Sequence, residues 1–290
     1  MASTTSTFHH AQYSTISPTN PANDQAGRTV LITGASQGIG YAIAKGFVDA
    51  KASHVILTGN REEALNRAAA TLAEGVTTTI IKPYICDINN SASIESLWRR
   101  LREDHIDVNI LVLNAADSAS GPAVPVKSFL PKLRGAFNTN LFANTSMVEH
   151  FLGSTADEAR AAPKVIINIS SFMAHSNPAP YQAAYSTSKA AFAHTLQLLA
   201  DEIPAEECQI INVHPGAVLT DSAKNAPQEM LDTVAWDEGK MMNVAFQSRL
   251  SLLTQIPQLG SPLLLQCGRL PNMGHFYMAD LSGQTGTLTS

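Results

Sequence analysis

The chain is poor in cysteine and in long apolar runs. Its 290 residues include only three cysteines, Cys86, Cys208 and Cys267, which are widely spaced and odd in number. A disulfide framework is therefore not expected, and a reducing compartment, the cytoplasm, fits this usage. No apolar run approaches the roughly 18 residues of a transmembrane helix, so we expect no membrane partner.

An excess of basic residues is also missing. Charged residues make up 15% of the chain, with a formal net charge of -5 and a pI of about 6.0. A nucleic-acid partner usually needs a basic patch, so none is expected. Hydrophobic residues make up 44% of the chain, which indicates a globular protein with a sizeable core.

The first 27 residues are rich in Ser, Thr, Asn and Pro and contain no lysine or arginine. They lack the basic start and apolar stretch of a signal peptide and the arginines of a mitochondrial presequence. We expect residues 1–27 to form a disordered tail, because they cannot bury enough apolar surface to become ordered. The adjacent His9 and His10 are expected to be solvated, and no metal site is expected.

From Arg28 onward, short β-branched runs alternate with helical stretches, which is typical of βαβ units around a parallel sheet. The nearly continuous apolar character of the runs predicts strands covered on both faces. Strands are predicted at 28–33, 54–59, 77–88, 108–115, 163–170 and 208–216. We therefore expect an α/β fold, a single doubly wound Rossmann-like domain over residues 28–250 with a parallel sheet flanked by helices.

The sequence TGASQGIG, residues 33–40, lies between the first predicted strand and its helix. Glycines at 34, 38 and 40 would let the turn tighten and let backbone N–H groups approach a pyrophosphate. The following helix N-terminus adds partial positive charge. This context predicts a dinucleotide site, with a purely structural turn as the alternative.

The sequence YSTSK places Tyr185 and Lys189 on one helix face, since residues four apart are neighbours. A free phenol has a pKa of about 10 and is a poor base near neutrality. A nearby ammonium would stabilise the phenolate and lower that pKa, which suits Tyr185 to proton transfer. Tyr181 has no lysine four residues on and follows NPAP, so we expect it to precede the helix; it could still line a pocket.

The order of these motifs resembles the short-chain dehydrogenase/reductase family, whose cofactor turn is TGxxxGxG and whose catalytic helix carries Tyr-x-x-x-Lys. The resemblance covers residues 28 to about 225. It implies a catalytic set in which Tyr185 exchanges a proton with the substrate oxygen and Lys189 tunes Tyr185 and binds the nicotinamide ribose. Ser171, with Ser170 as the alternative, would bind the reacting oxygen, and Asn140 would position a water.

The resemblance also implies a set of cofactor contacts. Asp87 would bind the adenine amino group, or would simply cap the next turn. Asn114 lies in LNAA, where Leu113 and Ala116 replace the usual Asn and Gly of the family. The cofactor set is Gly34, Ser36, Gln37, Gly38, Ile39, Gly40, Asn60, Arg61, Asp87, Ile88, Asn114, Tyr185, Lys189, Val218 and Thr220.

The end of the second predicted strand bears on the choice of nicotinamide. An acid there would bind the ribose 2′-hydroxyl and repel a 2′-phosphate, but Gly59 stands at that position and Asn60 follows. Arg61 is the first cation after the strand and could pair with a 2′-phosphate, or be an ordinary exposed residue. The absence of an acid favours NADP, and NAD is possible.

The resemblance therefore implies an oxidoreductase that transfers a hydride between NADP(H) and a ketone or secondary alcohol. The alternatives are an isomerase, dehydratase or epimerase on the same scaffold, or a cofactor-binding regulator without turnover. His214 follows the sixth strand and is not expected to take part in catalysis.

The region after the sixth strand carries the remaining expectations. Residues 230–246 include Met230, Trp236, Met241 and Met242 and are expected to form an apolar lid over an apolar substrate, or a helix packed on the core. Residues 251–290 do not match the usual end of the family. By resemblance we expect a homodimer or homotetramer, with residues 190–200 packing on a partner or within one core.

Overall fold

A computed structural model describes residues 17–118, 128–154, 163–174 and 181–215, together with residues 218, 220, 224 and 228. The strands are β1 Thr29–Thr33, β2 His54–Gly59, β3 Ile80–Ile85, β4 Ile110–Leu113, β5 Lys164–Ile169 and β6 Cys208–Val213. The helices are α1 Gly38–Asp49, α2 Glu62–Ala73, α3 Ser91–Glu103, α4 Phe129–Phe137, α5 Asn144–Gly153 and α6 Ala183–Glu202. The predicted lid, the C-terminal segment and the two adjacent histidines lie outside the described residues.

The six strands form one parallel sheet in the order β3-β2-β1-β4-β5-β6. The chain moves outward from β1 to β3 and then returns to the other side of β1 to begin β4. This reversal opens a crevice at the carboxyl ends of β1 and β4, where doubly wound sheets bind ligands. The predicted Rossmann-like α/β fold is confirmed.

Alternate strand residues pack on opposite faces of the sheet. Val30 and Ile32 of β1 pack on one face with α1 and α2, while Leu31 packs on the other with α3, α5 and α6. This two-sided burial explains why the central strands consist almost wholly of apolar residues. The core so formed fixes the carboxyl ends of the strands, from which the site is built.

Strand β3 differs from the expectation that every strand is covered on both faces. Among the described strands it pairs only with β2, Ile80 is 52% exposed, and Pro83 occupies a position opposite Leu57. Proline has no N–H to donate, so it is tolerated in a strand that has a free edge.

Residues 17–27 do not form the disordered tail that was predicted. A 3-10 helix at Pro21–Asn23 is capped by Asn20, and the Gln25 N–H donates to the Ala50 carbonyl at 2.7 Å, at the end of α1. Asn23 and Gln25 are buried. The segment is ordered because it satisfies backbone groups at a helix end, a contact that composition does not reveal.

The stretch between β4 and β5 contains α4 and α5 joined by a π-helical segment at Asn138–Ala143. In such a segment each N–H bonds to the fifth residue before it, and π segments are frequent at functional sites. Asn140 lies inside it. Within the described part of the chain, no helix is long and apolar enough to cross a membrane.

Candidate active site

The turn after β1 has the geometry of a phosphate-binding turn. Gly34 and Gly38 adopt φ values of +65° and +56°, which residues with a Cβ rarely adopt. A Cβ on Gly40 would lie 2.4 Å from the Gly34 carbonyl oxygen and 2.6 Å from Asn114 Nδ2. The turn therefore packs directly on the end of β4, and a side chain at position 40 would displace its backbone.

Helix α1 begins at this turn without a side-chain cap. The cap residue Gln37 makes no side-chain hydrogen bond to the first turn within the described residues, whereas Asn90 accepts one from Ser93 N at the start of α3. The first N–H groups of a helix need partners, and a phosphate can supply them. The uncapped start of α1 therefore fits the pyrophosphate of a dinucleotide.

Two polar side chains close the crevice between β1 and β4. Thr33 Oγ1 accepts hydrogen bonds from Asn114 N and Ala115 N at 2.9 and 3.0 Å. Asn114 Nδ2 donates to the carbonyls of Thr33 and Gly34 at 2.9 and 3.1 Å. Asn114 thus holds the glycine turn to the sheet despite the altered residues beside it.

Arg61 lies after β2 and turns back toward the glycine turn. Its Nη2 approaches Ser36 Oγ at 3.5 Å, and both Asn60 and Arg61 are exposed. Among the described residues, a Cβ on Gly59 would meet only Leu65 Cδ1 at 3.5 Å and Ser36 Oγ at 4.0 Å. Position 59 therefore presents no carboxylate, and the Arg61 guanidinium is directed at the turn.

Asp87 follows β3 and does cap the next turn. Its Oδ1 accepts from Asn89 N at 3.0 Å, and its own N–H donates to Ser93 Oγ at 3.1 Å. The side chain is only half-buried. Ile88, by contrast, is buried in the core with α3, so only its backbone is available to a cofactor.

Ser171, Tyr185 and Lys189 come together at the carboxyl edge of the sheet. Ser171 lies two residues after the end of β5, and its hydroxyl hydrogen-bonds to the Tyr185 phenol, a contact that lowers the pKa of Tyr185. Lys189 Nζ donates to the Ile169 carbonyl at 2.8 Å and lies 5.9 Å from the centre of the Tyr185 ring. Ser170, the alternative to Ser171, is buried and its hydroxyl has no partner within the described residues.

The prediction that Lys189 brings the pKa of Tyr185 down is wrong for the protein alone. Desolvation raises the pKa of Tyr185 above its ordinary value and outweighs the hydrogen bond from Ser171. Burial also lowers the pKa of Lys189 to about 8, so its own charge is weakly held. Its ammonium group bonds to a backbone carbonyl rather than to the phenol oxygen.

Asn140 is fully buried, and its amide is occupied by the protein. Nδ2 donates to the Asp117 carbonyl and to Ser188 Oγ, both at 2.9 Å, while Oδ1 accepts from Asp117 N at 2.8 Å. The side chain therefore joins three elements. Both amide hydrogens are therefore already donated to protein acceptors, and neither is left for the water that the resemblance suggests.

The remaining candidates lie around the same edge. Thr220 Cγ2 would be 3.5 Å from a Cβ on Gly38, which places Thr220 beside the glycine turn, and Val218 packs on the core next to α1. Tyr181 precedes α6 as predicted, has φ +60° and is exposed. His214 follows β6 and is half-buried. Within the described residues, no group of three or more His, Cys, Asp or Glu could hold a metal ion.

Sequence reasoning missed the residues that support these groups. Thr33 and Ser188 bond directly to predicted site residues. Asn89 Oδ1 accepts from Asn138 Nδ2 at 3.1 Å and from Thr139 Oγ1 at 2.8 Å, which ties the loop after β3 to the π segment. A serine next to Lys189 and an asparagine after Asp87 were the available signals.

Comparison with known proteins agrees with this geometry. The short chain dehydrogenase family matches residues 28–231. The short chain dehydrogenase/reductase AacuD of Aspergillus aculeatus is 29% identical, with 81% of this chain and 78% of AacuD covered. A short chain dehydrogenase/reductase of Claviceps purpurea is 31% identical, with 74% and 70% covered.

Among solved structures, the Pseudomonas aeruginosa RhlG/NADP active-site complex superposes with a TM-score of 0.68. It is 26% identical, with 80% of this chain and 91% of RhlG covered. Because the family match spans the whole sheet and α6, the chain belongs to the short-chain dehydrogenase/reductase family and is an NAD(P)-dependent oxidoreductase.

Proposed function

We propose that the enzyme transfers a hydride between NADP(H) and a ketone or its secondary alcohol, with Tyr185 as the general acid or base. The observation that carries the proposal is the hydrogen bond between the Ser171 and Tyr185 hydroxyls. Because the two hydroxyls are within hydrogen-bonding distance of each other, both can donate to a single substrate oxygen once it is bound.

The nicotinamide, when bound, supplies or accepts the hydride. In reduction, Tyr185 gives its phenolic proton to the substrate oxygen, and Ser171 donates a hydrogen bond to the same oxygen. The raised pKa of Tyr185 keeps the phenol protonated at neutral pH, so the site is prepared as an acid. Lys189 in its charged form would stabilise the phenolate that remains and bind the nicotinamide ribose.

The residues present fit a dinucleotide. Gly34, Gly38 and Gly40 with the uncapped start of α1 would hold the pyrophosphate, Asp87 would bind the adenine, and Thr220 would contact the nicotinamide end. Their cofactor roles are our proposal.

Three observations favour NADP over NAD. Position 59 lacks the acid that would repel a 2′-phosphate, and Arg61 turns toward Ser36. The related RhlG structure is an NADP complex. NAD is the alternative cofactor. A kcat/KM for NADH equal to or above that for NADPH would support it.

We propose an apolar carbonyl substrate, on the basis of the methionines and the tryptophan in 230–246. A homodimer or homotetramer is proposed by family resemblance, although Phe192, Ala193 and Leu196 of the 190–200 stretch pack in this chain's own core. A cytoplasmic location is proposed because the three cysteines of the sequence are widely spaced and odd in number, which suits a reducing compartment.

The proposal is tested by incubating the purified enzyme with NADPH and a panel of apolar ketones. We expect one alcohol formed per NADPH consumed, and Ser171→Ala should lower kcat by about 100-fold because it removes a donor to the reacting oxygen. Ser170→Ala is the matched control and should keep full activity. Conversion of a substrate without net NADPH oxidation would overturn the proposal in favour of an isomerase or dehydratase.

A further inference from the structure

The first turns of α6 are held from more than one side. On the side of β5, Lys189 Nζ donates to the Ile169 carbonyl at 2.8 Å, and Ser186 Oγ donates to the Met173 carbonyl. Residue 188 lies about 100° around the helix from residue 189, so its side chain leaves α6 in another direction. That direction leads to the π segment.

Ser188 is fully buried and makes two hydrogen bonds. Its Oγ donates to the Tyr185 carbonyl at 2.8 Å and accepts from Asn140 Nδ2 at 2.9 Å. A serine hydroxyl has one hydrogen to donate, so the bond to Tyr185 fixes its orientation and leaves a lone pair for Asn140. Ser188 is therefore a direct link between the turn that carries Tyr185 and the π segment.

The side-chain amide of Asn140 is fully used in hydrogen bonds to other parts of the chain. Both Nδ2 hydrogens are used, one by Ser188 and one by the Asp117 carbonyl, and Oδ1 accepts from Asp117 N. Asp117 lies in the loop after β4, so Asn140 fastens this loop to α6. We call the hydrogen bonds that join Asp117, Asn140 and Ser188 the bracket. Because Asn140 and Ser188 are fully buried, bulk water cannot replace a hydrogen-bond partner that either of them loses.

We propose that Ser188 is a positioning residue that, through Asn140, sets the placement of Tyr185 against Ser171. The role in turnover rests on the proposed function, while the bracket itself does not. Ser188 touches neither Ser171 nor the glycine turn in the described bonds, so its loss should disturb the chemical step and leave cofactor binding intact.

The test compares Ser188→Ala with Thr187→Ala. Thr187 is the exposed neighbour, and its hydroxyl's bonds to the described residues all lie within α6, to the carbonyls of Ala183 and Ala184. We expect Ser188→Ala to lower kcat about tenfold, with KM and the NADPH Kd within about twofold of wild type. Thr187→Ala should leave all three unchanged.

Two further variants keep the test decisive. Ser188→Cys preserves the side-chain size with a weaker donor and should fold with an intermediate kcat. In an Asn140→Ala background, Ser188→Ala should cost less than about twofold, since the two residues act through one bond. Loss of kcat that is additive in the double variant, or equal in Thr187→Ala, would overturn the proposal.

Hydrogen exchange separates this inference from the proposed function. Ser188→Ala should speed amide exchange in the peptide that spans residues 183–189, and Thr187→Ala should not. A wild-type enzyme without ketone turnover would refute the proposed function. The amide exchange rates of residues 183–189 would still show whether Ser188 holds the start of α6. Unchanged exchange in Ser188→Ala would refute the bracket.

Discussion

Lys189 donates its hydrogen bond to the carbonyl of Ile169 at 2.8 Å while its ammonium lies 5.9 Å from the centre of the Tyr185 ring. The lysine is thus anchored to the end of β5 and faces the tyrosine without bonding to its oxygen. Burial lowers the pKa of Lys189 to about 8 and raises the pKa of Tyr185. The pair therefore holds a protonated phenol beside a cation that is lost in mildly alkaline solution.

This pairing predicts how ketone reduction depends on pH. kcat/KM for reduction should be constant up to about pH 7 and fall as pH rises through about 8, because neutral Lys189 no longer stabilises the developing phenolate. Arginine stays charged at these pH values, so Lys189→Arg, although slower, should move the fall to higher pH. A wild-type profile that stays flat to pH 10 would contradict this assignment.

The same pKa predicts a stability effect. The folded-state pKa of Lys189, about 8, lies below its ordinary 10.5, so the unfolded chain binds more protons between these values. The contribution of Lys189 to the free energy of unfolding is therefore lowest below pH 8 and rises toward pH 10.5. At pH 7, holding this lysine charged in the core costs about 3 kcal/mol.

Lys189→Met should therefore be more stable than wild type at pH 7, by up to about 3 kcal/mol, while losing activity. Urea unfolding at pH 7 and pH 10 measures the difference, which should shrink at the higher pH. A variant that is less stable than wild type by the same amount at both pH values would show that the buried charge carries no such cost.

Gly40→Ala should damage the cofactor site. The new methyl would meet the Gly34 carbonyl oxygen at 2.4 Å, and backbone atoms cannot move as a flexible side chain can. We expect a loss of stability of about 1–3 kcal/mol and at least tenfold weaker NADPH binding, measured by fluorescence titration. Gly153→Ala, where a Cβ meets no described residue within 4 Å, should bind NADPH normally and gain up to about 1 kcal/mol.

The preference for NADPH over NADH should reverse with changes at the last residue of β2 and just after it. Arg61→Ala should lower kcat/KM for NADPH about tenfold and leave NADH nearly unchanged, since only NADPH carries the 2′-phosphate. Adding Gly59→Asp should lower kcat/KM for NADPH further and favour NADH, because an acid at this position repels the 2′-phosphate and binds the ribose 2′-hydroxyl. There is space for the side chain beside Ser36. Equal kcat/KM values for both cofactors in wild type would remove the basis of the preference.

The strands and the main site motifs could be predicted because their causes are local. The central strands are buried on both faces and need continuous apolar runs, the partly exposed β3 follows a β-branched run, and the glycine turn and Tyr-x-x-x-Lys are short-range patterns. The α4 and π segments were harder, since Pro131 and Gly135 break helix propensity and a π segment departs from the 3.6-residue period.

The supporting residues could not be predicted because their partners are distant in sequence. Asn140 bonds to Asp117 and Ser188, which are 23 and 48 residues away. Gln25 is ordered by Ala50, a contact absent from any composition argument. The raised pKa of Tyr185 likewise reflects tertiary burial, which outweighs the hydrogen bond with Ser171.

The central claim is that Tyr185 transfers the proton to or from the substrate oxygen, and Tyr185→Phe tests it most directly. Phenylalanine keeps the ring that packs at the start of α6 and removes only the hydroxyl. Single-turnover NADPH oxidation with a saturating ketone should slow by about 100-fold to 10,000-fold, with the NADPH Kd unchanged. A Tyr185→Phe enzyme that reduces the ketone at the wild-type rate would contradict the account.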